Sequence, residues 1–205
     1  MQSDGAKDSG VEINTIGTRH LVAAVGTPDF KADYVNKKID GWIAAIKKLT
    51  VIAASQPHAA FAAFTQCMQG QWTFLCRSMP DVAHLFVRLE DEIHLHFLPS
   101  LLRREINSLE RAVLSLPARF GGLGILKPNV ISVDAHENSM RLSAPLVKLI
   151  IKQEMNLEPT EINFDVKQTR MQIDEDIEKM QKAKLEQLML EASEVLKSAL
   201  KNTIE

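Results

Sequence analysis

Carboxylates and imidazoles gather at one place in this 205-residue chain, Glu90, Asp91, His94 and His96. On a helix Glu90 and His94 stand four residues apart and share a face, whereas His96 points elsewhere. A metal site needs further ligands at recognisable spacing, and neither a second histidine four residues away nor a distant third ligand is present, so the cluster reads as a solvated helix face. Glycine is densest in Leu116-Pro117-Ala118-Arg119-Phe120-Gly121-Gly122-Leu123-Gly124-Ile125. Phosphate-cradling loops share that density, but no Gly-Lys-Ser/Thr follows and no strand leads in. The expected element is a helix-ending turn packed beneath Phe120 and Leu123. Neither Cys67 nor Cys76 has a histidine placed beside it by a motif, and no Gly-x-Ser-x-Gly elbow occurs, so nucleophilic catalysis has no visible machinery. His58, one residue after Pro57 in a first helical turn, suits a polar contact with a neighbouring helix. No cofactor is implied.

Basic residues offer a different chemistry. Arg19 and His20, Lys37 and Lys38, Lys47 and Lys48, Arg103 and Arg104, and Arg119 are candidates for a phosphate-binding edge. Lysine pairs also serve simply to solvate a polar helix face, and the formal net charge of -2 supplies no global positive field. Nucleic-acid contact must therefore be local, with Arg19, His20, Lys37, Lys38, Lys47, Lys48 and Arg119 as the residues to carry it. Two cysteines in apolar surroundings argue against a disulfide framework or a structural zinc. Residues 1–10 are polar and lack the apolar core of a signal peptide, and no uncharged run reaches the ~20 residues that span a bilayer. An intracellular setting, cytoplasmic or nuclear, without a membrane partner is the expectation.

These side chains must be positioned by helices. Residues 11–26 alternate and then become small, which predicts a short hairpin. Thr27, Pro28 and Asp29 supply an N-cap, a first-turn proline and an early acid. Phe30, Val35, Ile39, Trp42, Ile43, Ile46 and Leu49 then mark the buried face of a long helix to about residue 54, which Gly41 should weaken or bend. Residues 59–64 are apolar on nearly every side and predict a central core helix. After Pro80 and Asp81, the residues Val82, Leu85, Phe86, Leu89, Ile93, Leu95 and Phe97 predict an amphipathic helix up to Pro99. Asn107 and Glu110 form a candidate capping box for residues 109–116. Weaker helical patterning covers 130–142, and 144–152 reads as a last core helix.

Composition changes at Glu158 and Pro159. Residues 158–205 hold 11 acids against 7 bases, a net of -4, and are almost free of turn residues. Val166, Ile173, Ile177, Met180, Leu188, Ala192, Val195 and Ala199 form an apolar stripe with a period of about 3.5, interrupted by Lys184. A long helix follows, able to pack on the domain or to pair with another helix or a second copy through 166–199. The fold class is all-α, a helical bundle with a short N-terminal β-hairpin and a long C-terminal helix.

Thr18-Arg-His-Leu-Val-Ala-Ala-Val-Gly26, residues 30–42, 56–64 and 72–75, Leu89-Glu-Asp-Glu-Ile93 with Phe97-Leu-Pro99, and 116–125 occur in an order and spacing that resemble the region after the palm in reverse transcriptase-like proteins of animal retroelements. The resemblance covers roughly residues 11–152. It implies a thumb-like helical domain over 11–157 that clamps primer and template; composition and periodicity set off a disordered N-terminus over 1–10 and an acidic, coiled-coil-like tail over 158–205. No Tyr-x-Asp-Asp motif occurs, and the sole tyrosine, Tyr34, has no acidic pair after it. Two-metal nucleotidyl transfer needs closely spaced carboxylates, so the resemblance implies a non-catalytic piece with weak primer–template binding at most. The competing expectation is a helical protein–protein interaction module.

Overall fold

A computed structural model of the chain describes residues 15–21, 23–153, 159–194, 196–198 and 200. It is an all-α bundle with a two-stranded N-terminal hairpin and a long C-terminal helix. The disordered N-terminus expected over 1–10, and residues 11–14 of the expected hairpin, lie outside the described residues. Strands β1 (Gly17–His20) and β2 (Ala23–Gly26) pair antiparallel, with Gly17 opposite Gly26. A Cβ on Gly26 would collide with the backbone of Ile16 and Gly17, so glycine lets the hairpin close onto the first helix.

Helix α1 (Pro28–Ser55) starts where the sequence signals place it: the Thr27 hydroxyl accepts from the Phe30 N–H at 3.3 Å, and Pro28 occupies the first turn. Val35, Ile39, Trp42, Ile46, Leu49 and Ala53 form its buried stripe. Gly41 faces open space and the helix runs through it unbroken.

Two π turns shape the core. Helix α2 (Pro57–Ala63) widens through Phe64–Met68 into α3 (Gln69–Ser78). A 3₁₀ turn (Ala83–Phe86) then leads to α4 (Val87–Glu92), which widens through Ile93–Phe97 into α5 (Leu98–Leu102). Each π turn admits an extra residue and rotates the face that follows. Phe64 and Phe97, one from each, stack with ring centroids 4.7 Å apart. Trp72 packs against Phe64 and Trp42 at 5.9 Å each, and Phe86 stacks on Trp42 at 6.2 Å, so five rings make the centre of the bundle.

The widened turns explain two departures from the sequence pattern. Leu95, expected on the buried face, is 57% exposed, because the π turn carries it past the core while Ile93, Phe97 and Leu98 stay inside. The helix also continues beyond Pro99 to Leu102, since the ring falls in the first turn after the widened segment. Residues 59–64 do not form a central helix: Ala60 and Phe64 are fully buried, whereas Ala59 and Ala62 face solvent. Small apolar side chains leave a helix apolar all round without requiring neighbours on every side.

Helix α6 (Ser108–Leu114) opens on the full capping box, with the Asn107 side chain accepting from the Glu110 N–H and the Glu110 carboxylate from the Asn107 N–H. Helix α7 (Pro128–Lys152) is continuous, with Pro145 inside it, where the sequence suggests two pieces. Its last turns are not core: Leu146, Val147, Ile150 and Ile151 are 43–74% exposed. Helix α8 (Pro159–Glu191) lies against α6 and α7. There Leu188 and Leu200 join Val113, Leu116 and Phe120 in a second apolar cluster. Among the described residues no helix is long and apolar enough to cross a membrane.

Candidate functional site

Among the described residues the most deeply buried polar side chain is Arg111, only 1% exposed. The capping box fixes the start of α6, and one turn later Arg111 is aimed at α4. Its Nε donates to Glu90 Oε1 and its Nη2 to Glu90 Oε2, both at 2.8 Å, a two-pronged pairing that suits the planar guanidinium. Nη1 donates to the Ile125 carbonyl at 2.7 Å and Nη2 to that of Leu126 at 3.1 Å. Gln69 closes the same knot from α3: its amide donates to the Gly124 carbonyl at 3.1 Å and its oxygen accepts from the Leu126 N–H at 2.7 Å. Glu90 is thereby committed to Arg111, and His94 donates instead to the Ile106 carbonyl at 2.9 Å. Glu90, buried rather than on a solvated face, and His94 are taken by structural partners, Asp91 and His96 are exposed, and among the described residues no group of three or more such side chains is arranged around a metal.

The glycine run is stitched down as firmly. The N–H groups of Gly121, Gly122, Leu123, Gly124 and Ile125 donate to the carbonyls of Ala118, Pro117, Leu114, Leu116 and Leu114. None points outward to receive a phosphate. Gly121 and Gly124 have φ of 78° and 66°, and a Cβ on Gly122 would strike the Leu116 carbonyl, so glycine is needed to reverse the chain at the end of α6. Phe120 is buried as expected, but Leu123 is 36% exposed and caps nothing.

Beside this knot, α7 and α8 enclose a cleft of about 520 Å³. Apolar walls come from Val130, Ile131, Ile173 and Ile177, and Lys127 and Lys184 stand at the end nearest Arg111. Lys184 Nζ donates to Ser115 Oγ at 3.1 Å. Burial, and then the Arg111 charge, hold both ammonium groups below the usual lysine range. Asp134, on the α7 wall, is pushed up by burial and by the Glu137 charge. Sequence reading missed Lys127, Arg111 and Gln69, which no local pattern marks. Lys184 did leave a signal, as the one cation inside an apolar stripe.

The basic candidates fall into separate places. Arg19 and His20 are exposed on the hairpin, and Arg19 Nε donates to the Leu21 carbonyl at 2.9 Å, within its own turn. Gly17 lies on the Phe30 ring and docks this hairpin at the start of α1. Lys37, Lys47 and Lys48 are exposed, and among the described residues none makes an ion pair. Lys38 sits 5.9 Å over the Tyr34 ring. At about 100° per residue Lys37 and Lys48 point the same way, about 16 Å apart, whereas Lys38 and Lys47 flank them on opposite sides. Arg119 belongs elsewhere: it stacks 5.0 Å from the Phe120 ring and donates to Gln181 Oε1 at 3.2 Å, tying the glycine turn to α8.

Comparison of the chain with protein-family models, with curated proteins and with solved structures finds no match in any of the three.

The apolar stripe of 166–199 is largely taken up within the chain. Ile173, Leu188 and Ala192 are buried, Val166 and Ile177 are half-buried, and Met180 is 49% exposed; the side chains of Val195 and Ala199 lie outside the described residues. Of the two uses the stripe allows, this structure displays packing on the domain, with the Arg141–Asp176 ion pair at 2.9 Å joining α7 to α8.

Proposed function

We propose that the chain is a non-catalytic helical module, similar to the thumb region of a retroelement reverse transcriptase, that meets a primer–template duplex through its phosphates. The observation that carries this reading is the solvent face of α1. Lys37 and Lys48 are aligned along it, unpaired among the described residues, and the intervening carboxylate of Asp40 is occupied by Arg88 at 2.8 Å. The hairpin, docked at the start of α1, adds Arg19 and His20 as a separate exposed pair, and the α1 edge itself presents two aligned cations with the exposed carboxylate of Asp33 one turn before Lys37. Such an edge supports sequence-independent contact with a duplex backbone and no base readout.

The test is fluorescence anisotropy of a labelled primer–template duplex against salt. Binding should be weak and fall steeply with ionic strength, each neutralised phosphate contributing a slope of roughly -0.9 in log K against log salt. Joint replacement Lys37→Ala and Lys48→Ala should make that slope shallower by about 2, whereas Arg119→Ala should leave it unchanged. No binding at low salt, or equal slopes for all three proteins, would remove nucleic acid as the ligand of this face.

A further inference from the structure

The cleft between α7 and α8 takes no part in the α1 edge and poses its own electrostatic problem. Its volume of about 520 Å³ falls within the ~300–1,000 Å³ typical of small-molecule sites. Lys127 and Lys184 both line it, the Lys184 charge acts on Lys127, and the Arg111 guanidinium acts on both. The carboxylate that acts on both lysines, Glu90, already has both oxygens engaged by Arg111. Lys184 has only the neutral Ser115 hydroxyl as a partner, and Lys127 has none among the described residues. Three cations are thus gathered around one carboxylate at the head of a cleft whose lining is more apolar than polar, with Val130, Ile131, Ile173 and Ile177 among its walls. Arg77 and Arg170 also line it, and Asp134 and Asp174 are its carboxylates, so the lining as a whole keeps an excess of positive charge.

We infer that this cleft binds an amphipathic anion, its carboxylate or phosphate head between Lys127 and Lys184 and its hydrocarbon body along Val130, Ile131, Ile173 and Ile177. An anionic head supplies the missing counter-charge in a partly desolvated place, where a charge-assisted hydrogen bond is stronger than one between neutral groups. A hydrocarbon body gains by leaving water for the aliphatic walls. Site formation needs α8 in place, so the ligand also holds α8 to α7 and stabilises the packed tail by mass action.

Isothermal titration of the full chain with dodecanoate, dodecyl phosphate and dodecanol, each below its aggregation concentration, tests this directly. One or both anions should bind at least about tenfold more tightly than dodecanol. Which of the two leads distinguishes a carboxylate from a phosphate head. Lys127→Met with Lys184→Met keeps the apolar stems, and should remove the preference for the anion while leaving dodecanol affinity unchanged. Lys182→Met, whose ammonium pairs with Glu178 on the exposed side of α8, should change nothing and so exclude a general charge effect. Equal affinity for anion and alcohol, or no binding of either anion, overturns the proposal. That comparison is made on the unaltered chain and decides the matter even if the double variant fails to fold.

Discussion

Replacing Arg111 by Met isolates what the buried knot contributes. The guanidinium makes four hydrogen bonds, two to Glu90 and two to the carbonyls of Ile125 and Leu126, from a side chain 1% exposed. Methionine fills similar space but leaves a largely buried carboxylate and two carbonyls without their donor. Breaking a buried pair by removing one partner typically costs about 3–5 kcal/mol, because the remaining charge is uncompensated. Lys127 and Lys184 lie within electrostatic reach of Glu90 and offset part of that loss, which sets the expectation near the lower end, about 3 kcal/mol. Urea unfolding followed by far-ultraviolet circular dichroism measures it. The double variant Glu90→Leu with Arg111→Met should recover most of the loss, since it removes both charges together. A single-variant loss below about 1 kcal/mol, in the range of surface sites, would refute the assignment of Arg111 as the clamp between α4, α6 and the glycine turn.

Three further outcomes are expected. Phe64→Ala should cost roughly 3–5 kcal/mol in the same unfolding assay, because Phe64 is fully buried and touches both Trp72 and Phe97; a loss below about 1 kcal/mol would place the core elsewhere. Burial pushes the Cys76 thiol from 9.0 up to about 11, so above pH 9 the unfolded chain loses this proton before the folded one does, and stability falls as pH rises to 11. With Cys76→Ala as reference, that contribution should shrink by about 2–3 kcal/mol across the window, at about 1.36 kcal/mol per pH unit, and a constant difference would contradict the burial argument. Lys184 has the opposite sign: its folded pKa lies below 10.5, so the chain gains stability as pH rises from that depressed value towards 10.5. Lys184→Met should raise the melting temperature at neutral pH and flatten this alkaline gain; an unchanged or lower melting temperature would show that the Ser115 contact outweighs desolvation.

Local signals carried much of the architecture. Thr27 with Pro28 and Asn107 with Glu110 start α1 and α6 in the sequence and in the structure alike, because a cap is a contact between residues only three apart. The buried stripe of α1 is legible for the same reason, helical periodicity being a property of a short window. Pro117 followed by three glycines marked the reversal after α6, since the positive φ of Gly121 and Gly124 is a backbone requirement.

What the chain does beyond one window was decided in three dimensions. The π turns at Phe64–Met68 and Ile93–Phe97 have no sequence signature, and they rotate Leu95 out while bringing Phe64 onto Phe97. Residues 144–152 are apolar enough for a core, yet among the described residues no neighbour covers Ile150 or Ile151, and burial depends on a neighbour being there. The polar sites depend most on tertiary structure. Glu90 has a histidine four residues away in sequence but takes Arg111, 21 residues on, because α6 delivers a guanidinium into a desolvated gap where only an opposite charge can leave water. Lys184 is visible in sequence only as a fault in an apolar stripe; its place beside Lys127 exists because α8 folds back onto α7, and a helix pattern alone leaves open which surface the stripe will meet.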